Sequence, residues 1–421
     1  MANTKNHKVI KWIVWSLSVL FLFYEFILRV FPSVMVEDLM TSFEVDAAKL
    51  GLLSAFYFYA YAPLQLPVGL LMDRFGARKL LSLAALICGL GAFLFGITLQ
   101  ISIAEIGRFF MGVGSSFAFV GMIYICSHWF LGHKLALLIG LGNSIGMLGA
   151  VGGEGPLGYL VDYYGWRPTV LGLAVIGILL AFIIYFTFRM KPPAFVKKEN
   201  TALEKVNLWQ NLKEVCKNYQ TWVNAFVALF FYGTTAAYAS LWGVPYLSLH
   251  WGLSREAAGF TVSLIFIGWI IGGPIIGIIS DRLRKRLPII QISTLLACLS
   301  ILPIVYWQGL NMPFLYLCHF LLGAFSAAQL LNFSLSVELN NFLAKGTAIA
   351  LTNMIVAFGS SFFQPFIGYL LDVHSPLNGE ASSYTLSDFR FAFTALPISF
   401  LIAFLLSFFI KETKKGEERP I

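Results

Sequence analysis

The sequence predicts an all-α integral membrane protein with twelve transmembrane helices in two pseudo-symmetric six-helix bundles. Three observations lead to this fold class. First, 58% of the 421 residues are hydrophobic and 12% are charged, whereas a soluble domain carries roughly 45–50% apolar and about 25% charged residues. Second, apolar runs of about 20 residues, the length that crosses a bilayer, recur along the chain. Third, the two halves of the chain repeat the same short motifs in the same order.

The apolar runs between charge clusters give the approximate positions of the helices. A long polar stretch at 189–220 divides them six and six. We therefore expect an N-terminal bundle at 1–188, a cytoplasmic linker at 189–220, a C-terminal bundle at 221–410 and a cytoplasmic tail at 411–421. Helical spacing of apolar residues in the second part of the linker predicts an amphipathic surface helix. The twelve expected spans are 10–36, 47–71, 79–99, 102–126, 135–158, 168–188, 221–248, 257–279, 288–307, 312–337, 346–371 and 389–410.

The net charge of +8 reports the orientation in the membrane. With the N-terminus in the cytoplasm, 23 of the 29 Lys and Arg residues fall on the cytoplasmic side. This asymmetry follows the positive-inside rule, so we expect both termini in the cytoplasm of a membrane of the bacterial inner-membrane type. The basic residues therefore give no reason to expect a nucleic-acid partner.

Duplicated motifs indicate a repeated six-helix unit. Gly69-x-x-x-Asp73-Arg74 corresponds to Gly277-x-x-x-Asp281-Arg282, and Gly158-Tyr-Leu-Val-Asp162 corresponds to Gly368-Tyr-Leu-Leu-Asp372. Two bundles related in this way can rock about a site at their interface near the middle of the membrane. The third and fourth matches are Arg108 to Gly112 with His319 to Gly323, and Pro32 with Pro245.

The loop Gly69-Leu-Leu-Met-Asp73-Arg74-Phe-Gly76-Ala-Arg78-Lys79 resembles the signature loop of the major facilitator superfamily (MFS), and its second copy begins at Gly277. The resemblance covers the whole chain and implies the MFS fold and a transport function. Gly69 is expected to permit close helix approach, and Asp73 to pair with a basic side chain or with a helix N-terminus. The residues predicted to gate the cytoplasmic side are Asp73, Arg74, Arg78, Asp281 and Arg282.

The first helix resembles that of the organic anion–cation symporters within this superfamily. The matching segment is Tyr24-Glu25-Phe-Ile-Leu-Arg29-Val30, and Glu25 departs from the family pattern. The resemblance implies a substrate site that includes Tyr24 and Arg29, and Glu25 is added to the predicted site because a charge inside a membrane is costly and suggests a function. Because Glu25 and Arg29 lie one helical turn apart on one face, they could hold a zwitterion in place of an anion, or neutralise each other as an ion pair.

Two further charged residues inside predicted spans are candidates for proton coupling. A charge inside a membrane costs about 2.5–3.5 kcal/mol on insertion scales, so it usually has a function. Arg108 resembles a helix-4 arginine that the family associates with proton coupling, and it could instead bond backbone carbonyls. Glu154 lies among eight glycines of the fifth predicted helix, whose small residues favour close helix packing. Tyr57, Tyr59 and Tyr61 crowd the second predicted helix.

No nucleotide-binding loop, metalloprotease motif or nucleophile elbow occurs in the sequence, and the five cysteines have no metal-ligand or disulfide spacing. We expect no cofactor and no enzymatic activity. The sequence predicts a monomeric secondary transporter of a small organic anion or zwitterion, coupled to protons by symport. The alternatives are an exchanger or facilitator of phosphorylated sugars or small peptides, and a transporter-derived ligand sensor.

Overall fold

The computed structural model describes residues 2–130, 135–188, 208–307, 309–341, 344–375 and 384–411. The helices of the first half are α1 (Ala2–Val30), α2 (Val36–Phe43), α3 (Ala47–Leu64), α4 (Val68–Phe75), α5 (Ala77–Ile97), α6 (Ile101–Trp129), α7 (Leu135–Tyr164) and α8 (Trp166–Thr187). The later helices are α9 (Leu208–Lys217), α10 (Tyr219–Ala237), α11 (Gly243–Trp251), α12 (Arg255–Leu283), α13 (Leu287–Tyr306), α14 (Met312–Ser326), α15 (Leu330–Glu338), α16 (Lys345–His374), α17 (Leu386–Phe393) and α18 (Ala395–Ser407).

Within the described residues, eleven helical segments are long and apolar enough to cross a membrane. The remaining predicted span is interrupted: α3 ends at Leu64 and α4 begins at Val68. Pro67 explains the break, because it has no N–H to donate and disfavours helical geometry at the preceding residue. The all-α membrane fold predicted from the sequence is confirmed.

Three spans each consist of two helices joined by a 3-10 or a π-helical turn. A 3-10 turn at Phe31–Met35 joins α1 to α2, so the first span reaches Phe43 rather than the predicted residue 36. The apolar run ends at Glu37 and Asp38, but the helix continues beyond it. A π-helical turn at Tyr238–Trp242 lies between α10 and α11, and a 3-10 turn at Ala327–Gln329 lies between α14 and α15.

Glycines allow the helices of each half to touch along their backbones, at equivalent places in the two halves. A Cβ atom on Gly112 of α6 would lie 2.0 Å from the carbonyl oxygen of Tyr57 in α3. A Cβ atom on Gly323, the duplicate of Gly112, would lie 1.9 Å from the carbonyl oxygen of Ile265 in α12. Such close contacts replace the hydrophobic effect as the source of helix association inside a bilayer.

The two halves meet through α3 with α16 and through α7 with α12. Gly51 of α3 lies against the backbone of Gln364 and Pro365, and Gly259 of α12 lies against the backbone of Glu154 and Gly155. The central site is built at this interface.

We call the edge that carries the described ends of the chain and the α4–α5 turn the basic edge, and the opposite one the distal edge. At the basic edge Tyr219 donates to the carbonyl of Phe409. At the distal edge Arg255 of α12 pairs with Asp38 of α2 and Asp162 of α7, at 2.6 and 3.3 Å. The predicted cytoplasmic position of the basic edge remains a prediction, as do the domain boundaries.

The duplicated distal motif also joins the halves at a second place. Asp372 of α16 accepts hydrogen bonds from the backbone N–H groups of Ala47 and Ala48 in the first turn of α3, at 3.2 and 2.8 Å. Tyr384 bonds to both Asp372 and the N–H of Ala47. We call the two contacts, Asp372 on α3 and Arg255 on Asp38 and Asp162, the distal latch.

Candidate functional site

A buried ion pair on α1 forms the centre of the site. Arg29 donates from Nε and Nη2 to the same oxygen of Glu25, Oε1, at 3.0 and 2.5 Å. The hydroxyl of Tyr57 from α3 donates to that oxygen as well, at 2.5 Å. Glu25 is buried, and 12% of the Arg29 side chain is exposed. Glu25 and Arg29 therefore share one helix face, as the sequence predicts, and form a salt bridge to which Tyr57 adds a hydrogen bond.

The other oxygen of Glu25 is sealed from solvent. Oε2 is buried and has no hydrogen-bond partner among the described residues. A ligand in the cavity between the two halves, described next, can therefore reach this carboxylate only after the ion pair of Glu25 with Arg29 rearranges.

Arg29 lines a small cavity between the two halves. Its guanidinium lies over the rings of Phe26 and Tyr61, at 4.8 and 5.0 Å. Tyr232 and Trp269 from the second half stand edge to face, with ring centroids 5.7 Å apart, and both line the cavity. The further lining residues are Met147, Thr235, Ala236, Ala239, Ser240, Ile265 and Phe266. The cavity thus combines one arginine with hydroxyl groups and aromatic faces.

Tyr24, the third residue predicted to bind substrate, points elsewhere. Its hydroxyl donates to the carbonyl of Leu173 in α8, at 2.8 Å. The ring occupies space left by Gly177, where a Cβ atom would lie 2.4 Å from the hydroxyl oxygen. Tyr24 fastens α1 to α8 inside the first half, so we do not retain it as a substrate contact.

Arg108 is fully buried and bound to backbone. Nη1 donates to the carbonyl of Leu28 at 2.6 Å and Nη2 to the carbonyl of Ser54 at 3.4 Å. Its guanidinium also lies over the Tyr57 ring, at 4.9 Å. Arg108 therefore holds α1, α3 and α6 together and supports the tyrosine that contacts Glu25. This is the carbonyl-bonded alternative to a role in proton coupling.

His319, the duplicate of Arg108, plays a similar part in the second half. Its Nδ1 lies 2.9 Å from the carbonyl of Leu315, an acceptor, so Nδ1 carries the proton. Nε2 then accepts from the hydroxyl of Tyr238 in the π-helical turn, at 2.9 Å. Both buried residues thus join helices of their own half.

Glu154 is buried on α7 and makes no ion pair within the described ranges. Its Oε2 accepts a hydrogen bond from Ser33 in the 3-10 turn, at 2.7 Å. Its Oε1 is buried and has no partner in the described part of the chain. Ser33 has no sequence signature beyond its place after Pro32, and sequence reasoning missed it along with Tyr232 and Trp269.

Two of the five residues predicted to gate the basic edge have a polar partner in the described part of the chain, and both partners belong to the same half. Arg78 donates to the carbonyl of Tyr185 at 2.9 Å, and Asp281 pairs with Arg286 at 2.7 Å. Asp73 is exposed and makes no ion pair within the described ranges. Arg74 and Arg282 are also exposed.

The close helix approach expected at Gly69 is wrong for this structure. No atom would lie within 4 Å of a Cβ at Gly69, and the same holds for its duplicate, Gly277. The reason is the arrangement of the halves. At the distal edge, Arg255 joins the two halves through ion pairs, whereas at the basic edge Arg78 and Asp281 bind within their own half.

Comparison with known proteins decides the family. The family model described as "Major Facilitator Superfamily" matches residues 16–246 and 225–421. The chain belongs to the Major Facilitator Superfamily. It is therefore a multi-pass membrane protein of a transporter family, and the twelve-helix MFS architecture predicted from the sequence is confirmed.

Curated relatives carry transporter names. The Cupriavidus necator protein named "Probable sulfoacetate transporter SauU" is 23% identical over 63% of this MFS chain and 63% of its own length. The Bacillus subtilis "Probable galactarate/D-glucarate transporter GudP" is 25% identical over 58% of each. The Chlamydia trachomatis "Probable hexose phosphate transport protein" is 24% identical over 93% of this chain and 90% of its own. The chain thus spans less than two thirds of the first two relatives.

Solved structures share the fold. An inward-facing, unoccupied bacterial homologue of the human lysosomal transporter Spinster superposes with a TM-score of 0.80 at 17% identity, over 95% of this chain and 97% of that one. A point mutant of the nucleoside transporter NupG superposes with a TM-score of 0.75 at 13% identity, over 95% of this chain and 100% of that one.

Proposed function

We propose that this MFS protein is a secondary transporter that carries a small organic anion across the membrane by alternating access, in symport with protons. The observation that carries the proposal is Arg29, a partly exposed arginine in a cavity between the two halves. Sulfoacetate, galactarate, glucarate and hexose phosphates, named for relatives, are all small organic anions. An arginine offers carboxylates, sulfonates and phosphates a planar pair of donors.

Glu25 defines how the anion binds. With the cavity as described, Glu25 already neutralises Arg29 through Oε1. An incoming anion must compete with this carboxylate for the guanidinium. A zwitterion would instead place its cationic group against Glu25, so the pair separates the two substrate classes.

Proton coupling requires an acid–base group at the interface of the moving halves. Glu154 meets that requirement because it is buried, its backbone lies against Gly259 of α12, and its carboxyl makes no ion pair with the residues that the structure describes. Arg108 meets it less well, since its guanidinium is bound to two carbonyls. We assign proton coupling to Glu154 and a structural role to Arg108.

Alternating access is proposed to work through the two edges. We infer that residues 1–188 and 221–410 move as two bodies, with the basic edge in the cytoplasm of a bacterial inner membrane and the protein as a monomer. The distal latch then holds the outside closed. Asp73, Arg74, Arg78, Asp281 and Arg282 are proposed to bridge the halves in the opposite state.

A second candidate is the exchange of phosphorylated sugars without a proton. The similarity to the Chlamydia protein over 93% of this chain favours it. Proton dependence separates the candidates: symport responds to a pH gradient across the membrane, and exchange responds only to substrate on the other side.

The test of the anion site is Arg29→Lys in proteoliposomes. The probes are radiolabelled sulfoacetate, D-glucarate and glucose 6-phosphate. We expect the lysine, which keeps the charge but loses the paired donors, to reduce transport of the accepted probe by roughly 10-fold or more, since an impaired charged hydrogen bond costs about 1.5–3 kcal/mol. Arg167→Lys is the matched control, because the guanidinium of Arg167 is also hydrogen-bonded, but to the carbonyls of Gly96 and Thr98 at the distal edge. Normal transport by Arg29→Lys and Arg29→Ala would refute the anion site.

A further inference from the structure

Along α7, Glu154 lies between a residue that lines the central cavity, Met147, and a residue that lines a second pocket at the distal edge, Asp162. On α7, the same face carries Asp162 two turns further toward the distal edge. Asp162 and Ser33 both line a pocket of about 380 Å³ that also includes Ser248 and Arg255. Because the hydroxyl of Ser33 donates to Glu154, this side chain forms the link between the distal pocket and the buried carboxyl.

The central cavity lies on the other side of this link. Ser33 follows Arg29 by four residues, and Arg29 lines the central cavity together with Met147, two turns before Glu154 on α7. Glu154 thus belongs to the partition that separates the distal pocket from the substrate site.

Few other charged groups lie near Glu154 and Ser33 among the described residues. Glu25 and Arg29 of α1 are paired with each other. The 3-10 turn contributes Ser33 and no charged side chain, and the α12 residue against the Glu154 backbone is Gly259. Arg255 lies one turn beyond Gly259 toward the distal edge, paired with Asp38 and Asp162; its sequence neighbour Glu256 is the next acidic group on α12.

An ionised Glu154 would have the hydrogen bond from Ser33 and no counter-charge among the residues that the structure describes, which is an expensive arrangement inside a membrane. A protonated Glu154 can donate from Oε2 to the hydroxyl oxygen of Ser33, 2.7 Å away, while that hydroxyl donates to the carbonyl of Val30 at 2.9 Å, so that every one of these groups has a partner. The geometry therefore suits a carboxylic acid better than a carboxylate.

We propose that Glu154 and Ser33 form a proton-binding site loaded from the distal pocket and separate from the Arg29 substrate site. The proposal rests on the proposed symport and deepens it. The carboxylate takes a proton from water in the distal pocket while that side is open. The resulting acid keeps it while the latch closes over the partition. The proton leaves to water of the central cavity when the basic edge is open, which regenerates the carboxylate.

The first test requires no substrate. Infrared difference spectra of the purified protein, recorded between acidic and alkaline buffer, report the C=O stretch of protonated buried carboxyls. We expect such a band in the wild type, its loss in Glu154→Gln, and its retention in Glu105→Gln. Glu105 is the matched control because it is a buried carboxylate with an ion-pair partner, Lys49, at 2.7 Å. A band absent from the wild type, or unchanged in Glu154→Gln, overturns the proposal.

Ser33→Ala tests the link. Loss of its hydrogen bond to Glu154 should raise the frequency of the same band, whereas Ser263→Ala should leave it in place. Ser263 is a buried serine of the same interface, and its hydroxyl donates to the carbonyl of Gly259 at 2.8 Å. An unmoved band in Ser33→Ala removes Ser33 from the site.

The second test separates coupling from transport. In proteoliposomes with the accepted probe, a pH gradient of one unit should drive up to about 10-fold accumulation for one proton per substrate, since one pH unit equals about 1.4 kcal/mol. We expect Glu154→Gln to lose this accumulation and keep probe–probe exchange. Proton-driven accumulation at wild-type level by Glu154→Gln would overturn the site. Failure of the wild type to transport any probe would instead refute the proposed function, and the infrared result would stand.

Discussion

At the scale of single residues, the chemistry of the site is set by how two arginines are satisfied. Arg29 is neutralised by a carboxylate and remains partly exposed to the cavity, whereas Arg108 is fully buried on carbonyls. Tyr57 connects them, because its hydroxyl contacts Glu25 while its ring contacts Arg108. The same residue type therefore faces a cavity in one place and joins helices in the other.

Glu25→Gln distinguishes an anion from a zwitterion. The glutamine keeps the shape of the side chain but no longer competes for Arg29, so an anionic probe should bind as well as before or roughly 5-fold more tightly, in the usual range of coupling between sites. A zwitterionic substrate should bind more weakly, because its cationic group loses its partner. Titration of thermal stability with each probe measures the affinity. Tyr57→Phe, which removes a donor and no charge, is the control.

Arg108→Ala should destabilise the protein more than it changes coupling. It leaves the carbonyls of Leu28 and Ser54 without this donor, at about 1–3 kcal/mol for each buried group. Thermal unfolding in detergent measures the loss. Arg74→Ala, at an exposed position, should stay within about 0.5 kcal/mol of the wild type. An unchanged melting temperature together with lost proton-driven uptake would return Arg108 to proton coupling.

At the scale of secondary-structure elements, close helix contacts and interruptions shape the site. The contact of Gly112 with Tyr57 places α6 directly against α3, and so brings Arg108 under the tyrosine ring. The π-helical turn at Tyr238–Trp242 adds a residue to the turn and places Ala239 and Ser240 in the cavity wall. Such turns often mark functional sites in helices.

Gly112→Ala should disrupt this packing. Its new Cβ atom would lie 2.0 Å from the Tyr57 carbonyl oxygen, so α3 and α6 must separate. We expect a destabilisation of about 1–3 kcal/mol, typical of overpacking, measured as a lower melting temperature. Gly140→Ala is the matched control, because a Cβ there meets no atom within 4 Å. Equal stability of the two variants would contradict the backbone contact.

At the scale of the whole molecule, the duplicated motifs operate at opposite edges. The distal Asp372 binds the first turn of α3 across the interface, where a carboxylate also complements the positive end of the helix. The basic-edge Asp73 is exposed. The distal aspartate motif is thus engaged between the halves, while in the basic-edge motif Asp281 pairs within its own half and Asp73 has no ion-pair partner in the described part of the chain.

Breaking the distal latch should open the distal pocket. We expect Asp372→Asn combined with Arg255→Ala to raise the rate at which Ser248→Cys reacts with an impermeant thiol reagent, by several-fold in intact cells. Cys216→Ser serves as background because Cys216 is an exposed thiol. Asp73→Asn is the control and should not raise this rate, since it weakens the opposite closure. Unchanged labelling of the double variant would show that the latch does not hold the distal side.

The sequence alone determined the class, the repeat and the positions of the intramembrane charges. Apolar length, basic loops and glycine spacing are local properties of a chain in a bilayer, so they can be read without a structure. The expectation that Glu25 and Arg29 meet also follows from local geometry, since residues four apart share a helix face.

Tertiary structure decided which way each charged or polar side chain is satisfied. Tyr24 and Arg108 lie on helices as predicted, but their partners, Leu173 and Leu28 with Ser54, come from other helices. The bond from Ser33 to Glu154 likewise joins positions 121 residues apart. A polar group in a membrane must find its partner inside the protein, and that partner is chosen by how the helices pack, which the order of residues along one helix does not specify.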